Sequence, residues 1–143
     1  MTLTEQIQQD IVAAMKAGEK QRVSALRMVV SELQKNAKEG DGDEVAVLQR
    51  ERKRRLESAT AFRDGGRAES AASEEAEAAM IATYLPEQIS DEELTQLVTE
   101  AIAQTGAESP KDIGKVMGAV MPKVKGRADG SRISAAAKEQ LLS

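Results

Sequence analysis

Thr2-Leu-Thr-Glu-Gln-Ile-Gln-Gln-Asp-Ile-Val-Ala-Ala-Met-Lys-Ala-Gly18 has the marks of one amphipathic helix. Thr2 and Glu5 stand at capping-box spacing, where the hydroxyl takes one free N–H of the first turn and the carboxylate takes another. Leu3, Ile7, Ile11, Ala14 and Met15 recur every three or four residues and form one apolar stripe. Gly18, with Lys16 in the last turn, is a stop signal.

The same grammar repeats outward along the chain. A second helix is expected from about Lys20 to Lys38, with Val23, Leu26, Val30, Leu33 and Ala37 on one face and Val29 widening it. Gly40-Asp41-Gly42 reads as a turn. Asp43 can cap a third helix that ends at Gly65-Gly66, and an Ala-rich fourth covers about Ala68 to Tyr84, closed by Pro86. Ser90-x-x-Glu93 is a second capping box, with Ile89 and Leu94 as a hydrophobic staple across it. Leu94, Leu97, Val98, Ala101 and Ile102 continue that stripe to Gly106. Ser109-Pro110, with Asp112 beyond, starts a helix whose inner face is Ile113, Val116, Met117 and Val120. Pro122 is expected to stop it and Pro122–Gly130 to form a loop. Asp129 can cap a last helix with Ile133, Ala136, Ala137 and Leu141 inward.

An all-α chain follows, with an N-terminal domain of about four helices over residues 1–86 and a small C-terminal three-helix domain over 87–143. Composition agrees. Among 143 residues the aromatic share is 1%, and alanine, a strong helix former, occurs 23 times. No internal repeat has a fixed period.

Composition also bounds the chemistry. The chain has no His, no Cys and no Trp, and one Phe (Phe62) and one Tyr (Tyr84). That removes disulfides, thiolate metal sites, thiol nucleophiles and the usual neutral-pH base. Neither a Walker-type phosphate loop nor a nucleophile elbow occurs. The expectation is a binding protein with no catalytic residues, no metal and no cofactor. No apolar run approaches the roughly 20 residues that span a bilayer, and Met1–Glu5 lacks a signal-peptide start. The expected location is cytoplasmic, without membrane contact.

Twenty basic and 24 acidic residues give a net charge of −4, but the charge is uneven. Residues 87–110 hold six acids and no base, whereas 111–138 hold seven bases and two acids. Arg50-Glu-Arg-Lys-Arg-Arg55 is a second basic run. On a helix, Val45, Leu48, Leu56 and Ala59 share a face with Arg52 at its centre, while Arg50, Lys53 and Arg54 point away. Those three are candidate nucleic-acid contacts, set against the plainer reading of a solvated face. Arg52 reads as a stem packed on apolar surface with its head reaching water or an acid.

Gly114 and Gly118 lie one turn apart, at about 1 kcal/mol each relative to alanine. Either a neighbouring helix crosses closely over them, or a partner such as a nucleic-acid backbone comes near. Lys123, Lys125 and Arg127 alternate with small residues beside the N-terminus of the last helix, an arrangement suited to anions. They are the other candidate phosphate contacts; the alternative is a solubilising loop.

Arg22-x-x-x-Leu26-Arg27-Met28, Tyr84-Leu-Pro-Glu-Gln88 and Ser109-Pro-Lys-Asp-Ile-Gly-Lys-Val-Met-Gly-Ala-Val-Met-Pro-Lys-Val-Lys-Gly-Arg-Ala-Asp-Gly130 together resemble the GatB/YqeY family over essentially the whole chain, closest to its stand-alone YqeY branch. The resemblance implies an all-helical fold and kinship with the tail of the B subunit of the tRNA-dependent amidotransferase, a tail that helps hold tRNA. It implies tRNA, amidotransferase subunits or a tRNA synthetase as partners, and an association with carbon–nitrogen ligase activity using glutamine as amido-N-donor. Three functions are therefore expected candidates: a non-catalytic tRNA- or RNA-binding accessory module, an amidotransferase component acting only with catalytic subunits, and a protein-interaction adaptor. With two aromatic residues, base stacking is nearly unavailable, so any RNA recognition should be of folded backbone shape.

Overall fold

The computed structural model describes residues 1–142. They form seven α-helices, and no strand occurs among them. The helices are α1 (Leu3–Lys16), α2 (Lys20–Glu39), α3 (Glu44–Asp64), α4 (Ala68–Ala82), α5 (Asp91–Thr105), α6 (Ile113–Val124) and α7 (Gly130–Leu141), with a 3₁₀ turn at Pro110–Asp112. The chain divides into two compact units, Met1–Leu85 and Pro86–Ser143.

In the first unit α1 packs on α2, α2 on α3, and α3 on α4. The capping box forms: Glu5 N–H donates to the Thr2 hydroxyl at 3.1 Å, and Thr2 N–H to Glu5 Oε2 at 3.4 Å. A second acid reaches the same helix end from afar. Glu44, in the first turn of α3, accepts from the Thr4 hydroxyl at 2.6 Å, Thr4 N–H at 2.8 Å and Leu3 N–H at 3.3 Å. Burial pushes its carboxyl up, but these bonds outweigh burial and leave it below the ordinary range.

Ile7, Ile11, Ala14, Val23, Leu26, Val29, Val30, Leu33, Leu48 and Ile81 form the core of this unit. Met15 and Ala37, at the ends of their stripes, are exposed instead. The Tyr84 hydroxyl donates to Asp10 on α1, which fixes the end of α4 to the first hairpin. Burial first, then the Asp10 bond and charge, push the phenol up to about 12, against the opposing effect of Arg22.

The α3–α4 hairpin is close because its facing residues are small: Ala59, Ala71 and Ala78 are all buried. Gly66 turns the chain at φ +77°, which glycine adopts without strain. The inner face of α3 is not the one the apolar pattern indicated. Val47, Leu48, Glu51, Arg55 and Ala59 are buried, Arg52 is half-buried, and Leu56 is exposed. The reason is an ion pair. Arg55 Nη1 donates to Glu51 Oε1 at 3.0 Å and its Nε lies 3.6 Å from Glu77 on α4, so charge goes inward without being left alone.

In the second unit the core comprises Ile89, Leu94, Val98, Ala101, Val116, Val120, Val124, Ala128, Ile133, Ala137 and Leu141. Ser90 and Asp129 cap α5 and α7, accepting from Glu93 N–H at 3.1 Å and Arg132 N–H at 2.9 Å. Pro122 does not stop α6, which continues to Val124. A proline inside a helix forfeits the bond to the carbonyl four residues back. Here that carbonyl belongs to Gly118, on the exposed face, and the helix ends two residues later. The expected loop therefore shrinks to residues 125–129.

Candidate nucleic-acid interface

The basic candidates fall into two groups, one in each unit. Arg50, Lys53 and Arg54 on α3 are exposed. Arg54 Nη1 donates to Glu51 Oε2 at 3.1 Å, and Lys53 lies 4.0 Å from Glu57. Arg50 and Arg54 border a groove of about 250 Å³ with Lys35, Glu32, Glu39 and Glu51. Three bases meet three acids there, so the groove has no excess of positive charge to draw a phosphate.

The second unit differs. Lys123 is in the last turn of α6 and Lys125 is the residue after it; both are exposed, and neither has a carboxylate within ion-pair distance among the described residues. Lys111, in the 3₁₀ turn before α6, and Lys115, in the first turn of α6, are exposed too. Lys115 lies 3.7 Å from Asp112. Asp112 accepts from Glu108 N–H at 2.9 Å, the leading cause of its carboxyl lying below the ordinary range.

Gly114 and Gly118 are exposed on α6 between Lys111 and Lys115 at one end and Lys125 at the other, with Lys123 on the flank, about 140° around the helix from Gly118. No helix crosses over them, contrary to the packing expectation: a Cβ at either would meet nothing within 4 Å. Gly114, Gly118, Met121 and Lys125 follow one another at spacings of three and four, so they share one face. Met121 is 49% exposed.

Arg127 is placed otherwise. Its Nη2 donates to Glu93 and its Nε to the Glu87 carbonyl, both at 3.3 Å. Its own carbonyl accepts from Ile89 N–H at 2.8 Å, and the Gly126 carbonyl accepts from the Gln88 amide at 3.1 Å. Arg132 adds bonds to the Ile89 carbonyl at 2.7 Å and Asp91 at 2.8 Å. The α6–α7 loop is thus tied to residues 87, 88, 89 and 93, with Arg127 part of the tie, and the first turn of α7 is tied to residues 89 and 91 through Arg132. Arg132 escaped sequence reasoning because its partners lie more than 40 residues away. Lys111 and Lys115 were legible only as part of a basic balance over residues 111–138.

No group of three or more His, Cys, Asp or Glu that could hold a metal occurs among the described residues. No described helix is long and apolar enough to cross a membrane. Fold and surface define a small all-helical protein of two compact units with a lysine-flanked helix face. It belongs to the YqeY-like protein family, whose model matches residues 4–141. No curated protein matches the chain.

Proposed function

We propose that this chain is a non-catalytic RNA-binding accessory protein that takes the phosphate backbone of folded tRNA on the outward face of α6. One observation carries the reading: Gly114 and Gly118 are uncovered between lysines. Each glycine costs the helix about 1 kcal/mol relative to alanine, and nothing within the unit needs their missing side chains. A backbone approaching closely would need them. Lys111, Lys115, Lys123 and Lys125 supply point charges suited to phosphate. The resemblance to a tRNA-holding tail supports the same assignment. Arg127 serves the fold of the loop in this reading, and Arg50, Lys53 and Arg54 are secondary contacts at most.

The test is tRNA binding as a function of salt. Each phosphate contact contributes about 0.9 to the slope of log K against log salt. Lys123→Ala with Lys125→Ala should lower that slope by roughly two while leaving helicity unchanged. Lys16→Ala with Lys35→Ala changes net charge equally in the other unit and should leave the slope nearly unaltered. Equal loss from both pairs, or no salt-sensitive binding by the wild type, would refute the assignment.

A further inference from the structure

Two concavities of the first unit share Glu77 and continue along α2. One, of about 430 Å³, has Gln21, Ser24 and Ala25 of α2 facing Ser73, Ala76 and Met80 of α4. The other, of about 460 Å³, runs past Met28, Ser31 and Glu32 and over Arg55 to Glu74. Residues 21, 24, 25, 28, 31 and 32 keep helical spacing, as do 73, 76, 77 and 80, so one full face of each helix borders the channel. α2 packs on α1 and α3, and α4 packs on α3, which leaves the α2 and α4 faces without extensive packing on each other.

The walls are built for a helix. Ser24, Ala25, Ser73 and Ala76 are small and permit close approach. Met28, 58% exposed, and Met80 offer adaptable apolar contact. The lining holds more acid than base: Arg22 pairs with Glu19 and Arg54 with Glu51, while Glu32, Glu74 and Glu77 face Arg55. Glu32 and Glu74 have no base within ion-pair distance among the described residues, while Glu77 shares Arg55 with Glu51. Burial and then the neighbouring Glu74 push the Glu77 carboxyl up, against the opposing effect of Arg55.

We infer that this channel is a docking groove for an amphipathic helix of a partner protein, small or apolar along its seam and basic on its flank. Two open helix faces set the width, the methionines provide the apolar contact, and Glu32, Glu74 and Glu77 select lysine or arginine. The inference is independent of the RNA reading, since it concerns the other unit and a ligand of opposite charge.

The experiment titrates the isotopically labelled full chain with a synthetic helical peptide of leucine and lysine at amphipathic spacing, and with its glutamate-for-lysine counterpart, following amide resonances. The basic peptide should shift residues 21–32 and 73–80 and leave the second unit undisturbed. Glu32→Lys with Glu74→Lys should weaken it by about tenfold or more, whereas Glu92→Lys with Glu100→Lys, an equal charge change on α5, should do so by less than about twofold. Met28→Ser removes only an exposed side chain, so its several-fold weakening decides the matter should the charge variant fail to fold. Absence of binding, equal binding of the acidic peptide, equal effects of the two charge pairs, or shifts outside the groove would overturn the inference. So would concentration-dependent shifts at these residues without peptide, which would make a second copy of the chain the occupant.

Discussion

Glu51 and Arg55, one turn apart on α3, form an ion pair inside the first unit: Nη1 lies 3.0 Å from Oε1, and the side chains are only 5% and 8% exposed. Arg55 also donates to the Glu51 carbonyl at 3.3 Å and faces Glu77 on α4. Removing Arg55 leaves Glu51 with the exposed Arg54 as its remaining partner and deprives Glu77 of its base. Arg55→Ala should therefore lose about 3 kcal/mol, the low end for breaking a buried pair, read from the midpoint of urea unfolding. Arg55→Met combined with Glu51→Leu removes both charges and should recover most of that loss. If the double variant is as unstable as the single one, the pair contributes more than mutual neutralisation.

Glu44 ties the start of α3 to the start of α1 through three hydrogen bonds. Its carboxyl lies below the ordinary range in the folded chain, so the unfolded chain takes up a proton first as pH falls. The stabilisation is fully present above the ordinary value of 4.5 and is lost as pH drops below it through the folded value. Glu44→Gln should cost about 1 kcal/mol at neutral pH, the usual scale of a helix cap. The gap between variant and wild type should close under acid. A gap that persists unchanged well below pH 4.5 would mean that the carboxylate charge is not what holds α1.

Tyr84 gives the opposite sign at the alkaline end. Burial and the bond to Asp10 raise its phenol to about 12, from an ordinary value of 10.0. The unfolded chain releases this proton first, so stability falls as pH rises from 10.0 towards about 12. Tyr84 is the single tyrosine, so tyrosinate absorbance reports this group alone. Folded protein should ionise well above free tyrosine, and Tyr84→Phe should be about 1 kcal/mol less stable at neutral pH. Between pH 10.0 and 12 that difference should shrink, because the phenylalanine variant has no proton to lose.

Sequence reading found the helix ends because caps are local. Thr2, Asp43, Ser90 and Asp129 each accept a bond from the N–H three residues on, a relation that spacing alone reveals. Facing was less legible. Counting only apolar residues on α3 put Arg52 at the centre and missed Arg55, although Glu51 and Arg55 stand at the i, i+4 spacing that favours an ion pair. Pro122 misled because its helix-breaking effect depends on which carbonyl it orphans, and Gly118 is on the water side. For the candidate interface, the basic run was readable, but its division was not. Lys123 is helical, Lys125 follows the helix end, and Arg127 is spent on Glu93 and Glu87, contacts 34 and 40 residues away.

The uncovered glycines of α6 separate stability from binding. Gly114 and Gly118 have no positive φ, and a Cβ at either would enter open space. Alanine is therefore admissible at both, and it restricts the unfolded chain more than glycine does. Gly114→Ala with Gly118→Ala should stabilise the protein by about 2 kcal/mol, seen as a higher thermal midpoint. If the outward face of α6 receives an RNA backbone, the same two methyl groups stand between helix and phosphates. Binding of tRNA should then weaken by about tenfold, equivalent to 1.4 kcal/mol, although no charge has changed and the fold is firmer. Loss through fewer phosphate contacts would lower the salt slope, whereas a steric standoff that keeps the lysines engaged would leave the slope intact and reduce affinity at every salt concentration. A stabilised variant that binds tRNA as tightly as the wild type would show that these glycines do not meet RNA, and the lysines at the ends of α6 would then have to carry the contact alone.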